Sequence, residues 1–262
     1  MSLTLDIGAT GMLAQQLNVD TISNNIANMT TTGYKRQRAE FQDMLYQTKI
    51  RAGASSSDTS TIIPTGVQQG LGVKAGAIYR INEQGSLQST SNKFDLAVMG
   101  QGYFQVTLPS GETAYTRDGS FQLNQSGQMV TAQGFTLQPG ITIPGDAVDV
   151  TINGSGQVLI KIQGQTSLTN AGQIQTALFQ NDAGLEALGN NLFITTESSG
   201  AAIAGNPGSP GYGELQQKFL EASNVNVVEE ITALIQAQRA YEMNSKVIQA
   251  GDQMLNTVTQ LR

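Results

Sequence analysis

Two carboxylate pairs stand close enough in sequence to share a site, Asp146 with Asp149 and Glu229 with Glu230. A pair of acids is all that hydrolysis of a glycosidic bond requires. Asp146 and Asp149, however, flank a turn with no aromatic platform for a sugar nearby. Glu229 and Glu230 open a helical pattern, where the macrodipole favours negative charge. Neither pair reads as catalytic. The turns Gly70-Leu71-Gly72 and Gly100-Gln101-Gly102 begin like phosphate loops, but neither continues to a third glycine or opens a helix, and no P-loop motif occurs. Histidine and cysteine are absent, which removes imidazole-assisted nucleophiles, imidazole or thiolate zinc sites and disulfides. No serine precedes a lysine by three residues. Lys35, Arg36 and Arg38 form a short basic cluster in a chain of net charge -6, which reads as a solvated or intersubunit face rather than a nucleic-acid site. Most familiar enzyme chemistry is thereby excluded, and no cofactor and no metal are expected.

The elements that must position these residues fall into three segments. Net charge is +1 over residues 1–83, -5 over 84–212 and -2 over 213–262. Charged residues are 13% of the chain, about half the usual share. Its surface must therefore be mainly amide and hydroxyl, groups that can be buried between molecules at lower desolvation cost than ions. No run approaches the 18 or more apolar residues of a membrane span. The first residues lack the basic and apolar regions of a secretory signal, which leaves a cytoplasmic protein or export by another route.

The C-terminal segment carries Val227, Leu234, Tyr241, Ile248 and Leu255 at strict sevens, with Ala233, Ala240, Val247, Met254 and Leu261 one residue earlier in each heptad. The N-terminus answers with Leu5, Met12, Val19 and Ile26. Stripes of this kind belong to helices packed lengthwise on other helices. The first helix is expected to stop near Gly33, a residue able to take the left-handed conformation. The second is introduced by Ser223, Asn224 and Asn226, all favourable caps. Met12, Met29, Met243 and Met254 read as packing residues of these stripes.

Between the helices, short apolar runs alternate with turn chemistry. Strands are expected at 103–108, 113–117, 121–124, 148–152, 158–162 and 174–179, separated by Pro109-Ser110-Gly111, a hairpin at Asp118-Gly119, Ser126-Gly127 and Asn153 to Gly156. The predicted fold class is α+β. Long N- and C-terminal helices (1–33 with 224–262) pair in a coiled-coil-like module, joined by a connector (34–83) to a central antiparallel β domain (84–212). A return connector spans 213–223. Within the first connector, 46–66 reads by composition as a linker, except at Ile62-Ile63-Pro64, where two β-branched residues before a proline favour extended chain.

The run Ser23, Asn24, Asn25, Ile26, Ala27, Asn28, with Gly33, Tyr34 and Lys35 shortly after it, resembles the signature of the flagellar rod and hook family of axial proteins. Residues 221–246, EASNVNVVEEITALIQAQRAYEMNSK, are similar to the partner helix of that family. GQGYFQV at 100–106 and YTRDGSF at 115–121 resemble its shared β domain. The run FQDMLYQ at 41–47 and the segment following it to Gly72 fit the distal-rod branch. The resemblance implies a structural subunit of the flagellar drive shaft, not an enzyme, that polymerises helically with itself through its terminal helices. Implied partners are proximal rod and hook proteins, the L and P ring bushing, the export apparatus and the rod cap, with no nucleic acid and no membrane insertion. The implied location is the basal body, where the rod crosses the periplasm, reached by export without a cleaved signal peptide. Phe41 and Leu45 match the family's export-gate motif, and Ile62, Ile63 and Pro64 lie in the segment taken to stiffen the rod. The alternatives are a hook or proximal rod subunit and, in another class, a secreted β-rich adhesin.

Overall fold

The apolar stripes at the two ends of the chain form helices α1 (Leu3–Ala27) and α2 (Val227–Gln260), and the region between them is antiparallel β structure. The fold is thus α+β. A computed structural model describes residues 3–51, 65–164 and 167–260. Leu261, Ile62, Ile63 and Pro64 lie outside the described residues. At about 1.5 Å per residue, the 34 residues of α2 extend about 50 Å.

α1 ends six residues before Gly33, a correction to the expected boundary. The run Thr30-Thr31-Thr32 is β-branched and a poor continuation of a helix. Thr31 instead donates its N–H to the Asn28 carbonyl at 3.2 Å and its hydroxyl to Asn28 Oδ1 at 3.1 Å. Gly33 does take a positive φ, +67°, but in the turn beyond the helix. Its N–H donates to the Glu221 carbonyl at 2.8 Å.

The chain divides into two compact units. One comprises the described residues of 1–26, 37–79 and 227–262; the other comprises 27–36 with 80–226. In the first unit, α1 and α2 run antiparallel at close approach. A Cβ added at Gly8 would lie 2.8 Å from Ile248 Cγ1, one at Gly11 2.8 Å from Asn244 Nδ2, and one at Gly251 3.2 Å from Leu5 Cδ2. On α2 the most enclosed positions are Glu230, Ala237 and Gly251, with Asn244 half-buried. They lie at sevens and interleave at spacings of three and four with the row Val227, Leu234, Tyr241, Ile248. The seam is therefore lined by small and polar residues as well as apolar ones, which is what lets the helices come so close. The same unit holds strand β1 (Gln37–Asp43), a hairpin of β2 (Tyr46–Ile50) with β3 (Val67–Gly70), and β4 (Val73–Arg80), which pairs with β1. The stretch read as a connector thus carries strands.

The second unit is built from sixteen further strands: β5 (Leu87–Ser89), β6 (Leu96–Met99), β7 (Tyr103–Thr107), β8 (Thr113–Thr116), β9 (Gln122–Leu123), β10 (Met129–Val130), β11 (Thr136–Leu137), β12 (Ala147–Ile152), β13 (Gln157–Ile162), β14 (Thr169–Gln173), β15 (Thr176–Leu178), β16 (Glu186–Gly189), β17 (Leu192–Ile194), β18 (Ile203–Gly205), β19 (Glu214–Gln217) and β20 (Phe219–Glu221). β7 is the centre of the largest sheet. One of its edges pairs with β8, whereas the other is shared by β15 at Phe104 and β11 at Thr107. β12, β13 and β14 form a separate meander. The stretch read as a return connector also pairs, β19 with β6 and β20 with β5. Leu96, Phe104, Val106, Phe121, Met129, Leu137, Val158 and Ile174 fill the core, with the Phe104 and Phe121 rings edge-on at 5.2 Å. Asp118-Gly119 is irregular chain and not the expected hairpin, because β8 pairs with β7 and β17 while β9 pairs with β10.

Candidate assembly surface and its polar supports

Asn25, a motif residue near the end of α1, is buried at 1% exposure. Its Nδ2 donates to the Gln37 carbonyl at 2.8 Å and to Glu230 Oε2 at 3.1 Å, while its Oδ1 accepts the Gln37 N–H at 2.9 Å. The side-chain amide thus takes the place of a strand neighbour at the start of β1 and ties the end of α1 to the start of α2. Glu230 is buried, a correction to its reading as a charge merely placed at a helix start. Ser23, Asn24 and Ala27 are exposed, and Asn28 and Tyr34 are half-buried.

Lys35 departs further from expectation. It is 3% exposed, not part of a solvated basic face. Its Nζ donates to Glu221 Oε1 at 2.6 Å and to the Glu83 carbonyl at 2.8 Å. Burial pulls its pKa below the usual lysine value, opposed by Glu221. Oε1 of Glu221 also accepts the Gly85 N–H at 2.9 Å. Asn224 completes the junction: its Oδ1 accepts the Arg36 N–H at 2.7 Å, and its Nδ2 donates to the carbonyls of Ile81 at 2.8 Å and Glu83 at 3.0 Å. Three chain passages, 33–36, 81–85 and 221–224, are held side by side by these side chains. Sequence reasoning missed the roles of Glu221, Asn224 and Arg117. The available signal was that each lies inside a block quoted for the resemblance.

The helical stripes are enclosed unequally. Leu5, Met12, Val19, Ile26, Val227, Leu234 and Ile248 are half-buried, while Tyr241 and Leu255 are exposed. Open apolar side chains form two patches on α2. Val228 (74% exposed), Ile231 and Ile235 form one in its first half, and Met243 (68% exposed), Val247 and Met254 form another in its second. Phe41 is half-buried in β1, whereas Leu45, just before β2, is 83% exposed. Asp149, half of the first carboxylate pair, is an exposed partner of Lys93 at 2.7 Å. That hydrogen bond holds its carboxyl below the usual range, the wrong direction for a general acid. Among the described residues no cluster of acidic side chains suits a metal, and no helix is long and apolar enough to cross a membrane.

Three family models match consecutive parts of the chain: Flagella basal body rod protein at residues 5–35, Flagellar hook protein FlgE/F/G D1 domain at 97–160, and Flagellar basal body rod FlgEFG protein C-terminal at 216–261. Terminal helices bracketing a β domain, each part matched by its own model, define the hook-and-rod class of flagellar proteins. Full-length relatives narrow this. The Flagellar basal-body rod protein FlgG of Caulobacter vibrioides is 60% identical over 98% of both chains. That of Agrobacterium fabrum is 50% identical over 97% of both, and that of Bacillus subtilis is 39% identical over the whole of both. The chain belongs to the FlgG family of flagellar basal-body rod proteins.

Proposed function

We propose that this chain is a structural subunit of the distal rod, located in the flagellar basal body, and that it transmits torque as part of a helical polymer rather than catalysing a reaction. The observation that carries this reading is the pair of open apolar patches on α2, at 228, 231 and 235 and at 243, 247 and 254. Contiguous apolar surface of this kind marks an interaction site, and α1 already covers another face of the same helix. Heterologous contacts that repeat without closing generate a helical filament. Copies of this chain would thus cover one another's patches, with proximal rod and hook proteins extending the same stack. The L and P ring bushing would surround it, and the export apparatus and rod cap would deliver and place each subunit. Phe41 and Leu45 serve as the export signal in this reading, and residues 46–66 stiffen the shaft.

Polymerising the purified chain and reconstructing the filament from electron micrographs tests the reading. Both patches are expected within contacts between copies at the smallest radius of the tube. A filament in which 228, 231, 235, 243, 247 and 254 all face solvent would refute it.

A further inference from the structure

Four buried side-chain polar atoms among the described residues lack a hydrogen bond, and three of them sit together: Nε and Nη1 of Arg117 and Oε2 of Glu221. Glu221 faces two buried cations. Lys35 approaches to 2.6 Å, but Arg117 Nε stays at 3.6 Å, beyond hydrogen-bond reach. Arg117 is 5% exposed. It donates from Nη2 to the Gly100 carbonyl at 2.6 Å and lies 5.5 Å from the centre of the Tyr103 ring, contacts that leave Nε and Nη1 without a hydrogen-bond acceptor although the Glu221 carboxylate is near. A cation taken out of water is costly unless paired, and a guanidinium is shaped to accept a carboxylate through two parallel hydrogen bonds.

Arg117 lines a recess of about 300 Å³ together with Gln84, Gly100, Gly102, Tyr103 and Asp182. Gly100 and Gly102 have φ of +108° and +137° and bring bare backbone to its rim. Asp182 supplies the recess with its carboxylate. Burial pushes that carboxyl's pKa up, opposed by Arg117 and Lys35.

We propose that the recess is a carboxylate-binding subsite, with Arg117 as its anchoring cation and Asp182 as a resident competitor that an incoming carboxylate displaces. The carboxylate comes either from an acidic side chain of a second copy, a source that rests on the polymer described above, or from a small free acid. Acetate, with ionic strength held constant by chloride, is the probe. It is titrated into the full-length chain at a concentration that keeps it monomeric, following the Arg117 Nε–H and the Gly100 and Gly102 amides by NMR. Saturable shifts are expected, with at least threefold tighter binding in Asp182→Asn and none in Arg117→Gln. Arg117→Lys keeps the charge without the fork and separates loss of binding from loss of fold: its amide spectrum should stay dispersed while affinity falls several-fold. Shifts that never saturate, or affinity unchanged in Asp182→Asn, would overturn the proposal. Saturable binding that also slows polymer growth assigns the site to a neighbour's carboxylate; the same binding with normal growth assigns it to a free acid. A chain that binds acetate but never polymerises would count against the rod reading alone.

Discussion

At Gly33 a backbone angle and a close contact act together. A Cβ there would lie 2.9 Å from the Arg117 carbonyl carbon and from the Asp118 nitrogen, and φ is +67°. A β-branched residue at such an angle costs about 1–3 kcal/mol before any clash. Gly33→Val is therefore expected to lower the stability of the unit of 27–36 and 80–226, measured by denaturant unfolding, as well as impairing assembly. Asp182 gives a pH signature. Because burial raises its pKa, the folded state holds a proton that the unfolded chain releases near pH 4. This contribution is full below that pH and is lost as pH rises through the folded value. Asp182→Asn should flatten the fall in stability above about pH 4, read by comparing melting temperatures across that range. Equal slopes in the two proteins would contradict the assignment.

At the scale of elements, the α1–α2 pair depends on glycines that sequence periodicity does not mark as contacts. Gly8→Val would press on Ile248, and overpacking of this sort typically costs about 1–3 kcal/mol. A thermal scan of helical circular dichroism should show earlier loss in Gly8→Val than in Gln16→Val, whose position on the same helix is exposed. The hairpin of β2 and β3 is a second such element. A lone two-stranded ribbon is marginal in water, and all of β2 is exposed, so it gains most by contact with other copies. Removing residues 46–66 should leave polymers that form but bend more easily, seen as a shorter persistence length in micrographs.

For the whole molecule, assembly is separable from folding because the open patches on α2 contribute little to the isolated chain. Ile235→Glu replaces an exposed apolar side chain, and substitutions of that kind usually change stability by less than about 0.5 kcal/mol. Buried against another copy, the same carboxylate would be an unpaired charge costing several kcal/mol. The variant should therefore show the parent's circular dichroism as monomer and fail to sediment as polymer.

The sequence by itself determined the α+β class, the two terminal helices and the six best-marked strands, because these rest on periodicity and turn chemistry within a few residues. Leu5 to Ile26 and Val227 to Leu255 announce helices whatever they pack against, and Pro109-Ser110-Gly111 announces the turn between β7 and β8. It could not tell which rows face α1, since Glu230, Asn244 and Gly251 enter that seam through close approach rather than hydrophobicity. Nor could it show that 37–43, 46–50, 67–70, 73–80, 214–217 and 219–221 form strands, because most of their side chains are exposed or half-buried and leave no apolar face to read. Gly33 keeps its left-handed angle but not its helix, as the preceding threonines end α1 first. Only the tertiary structure decided that Lys35, Arg117 and Glu221 meet, because a buried ion cluster is assembled from residues 35, 117 and 221 and no local pattern records the distances among them.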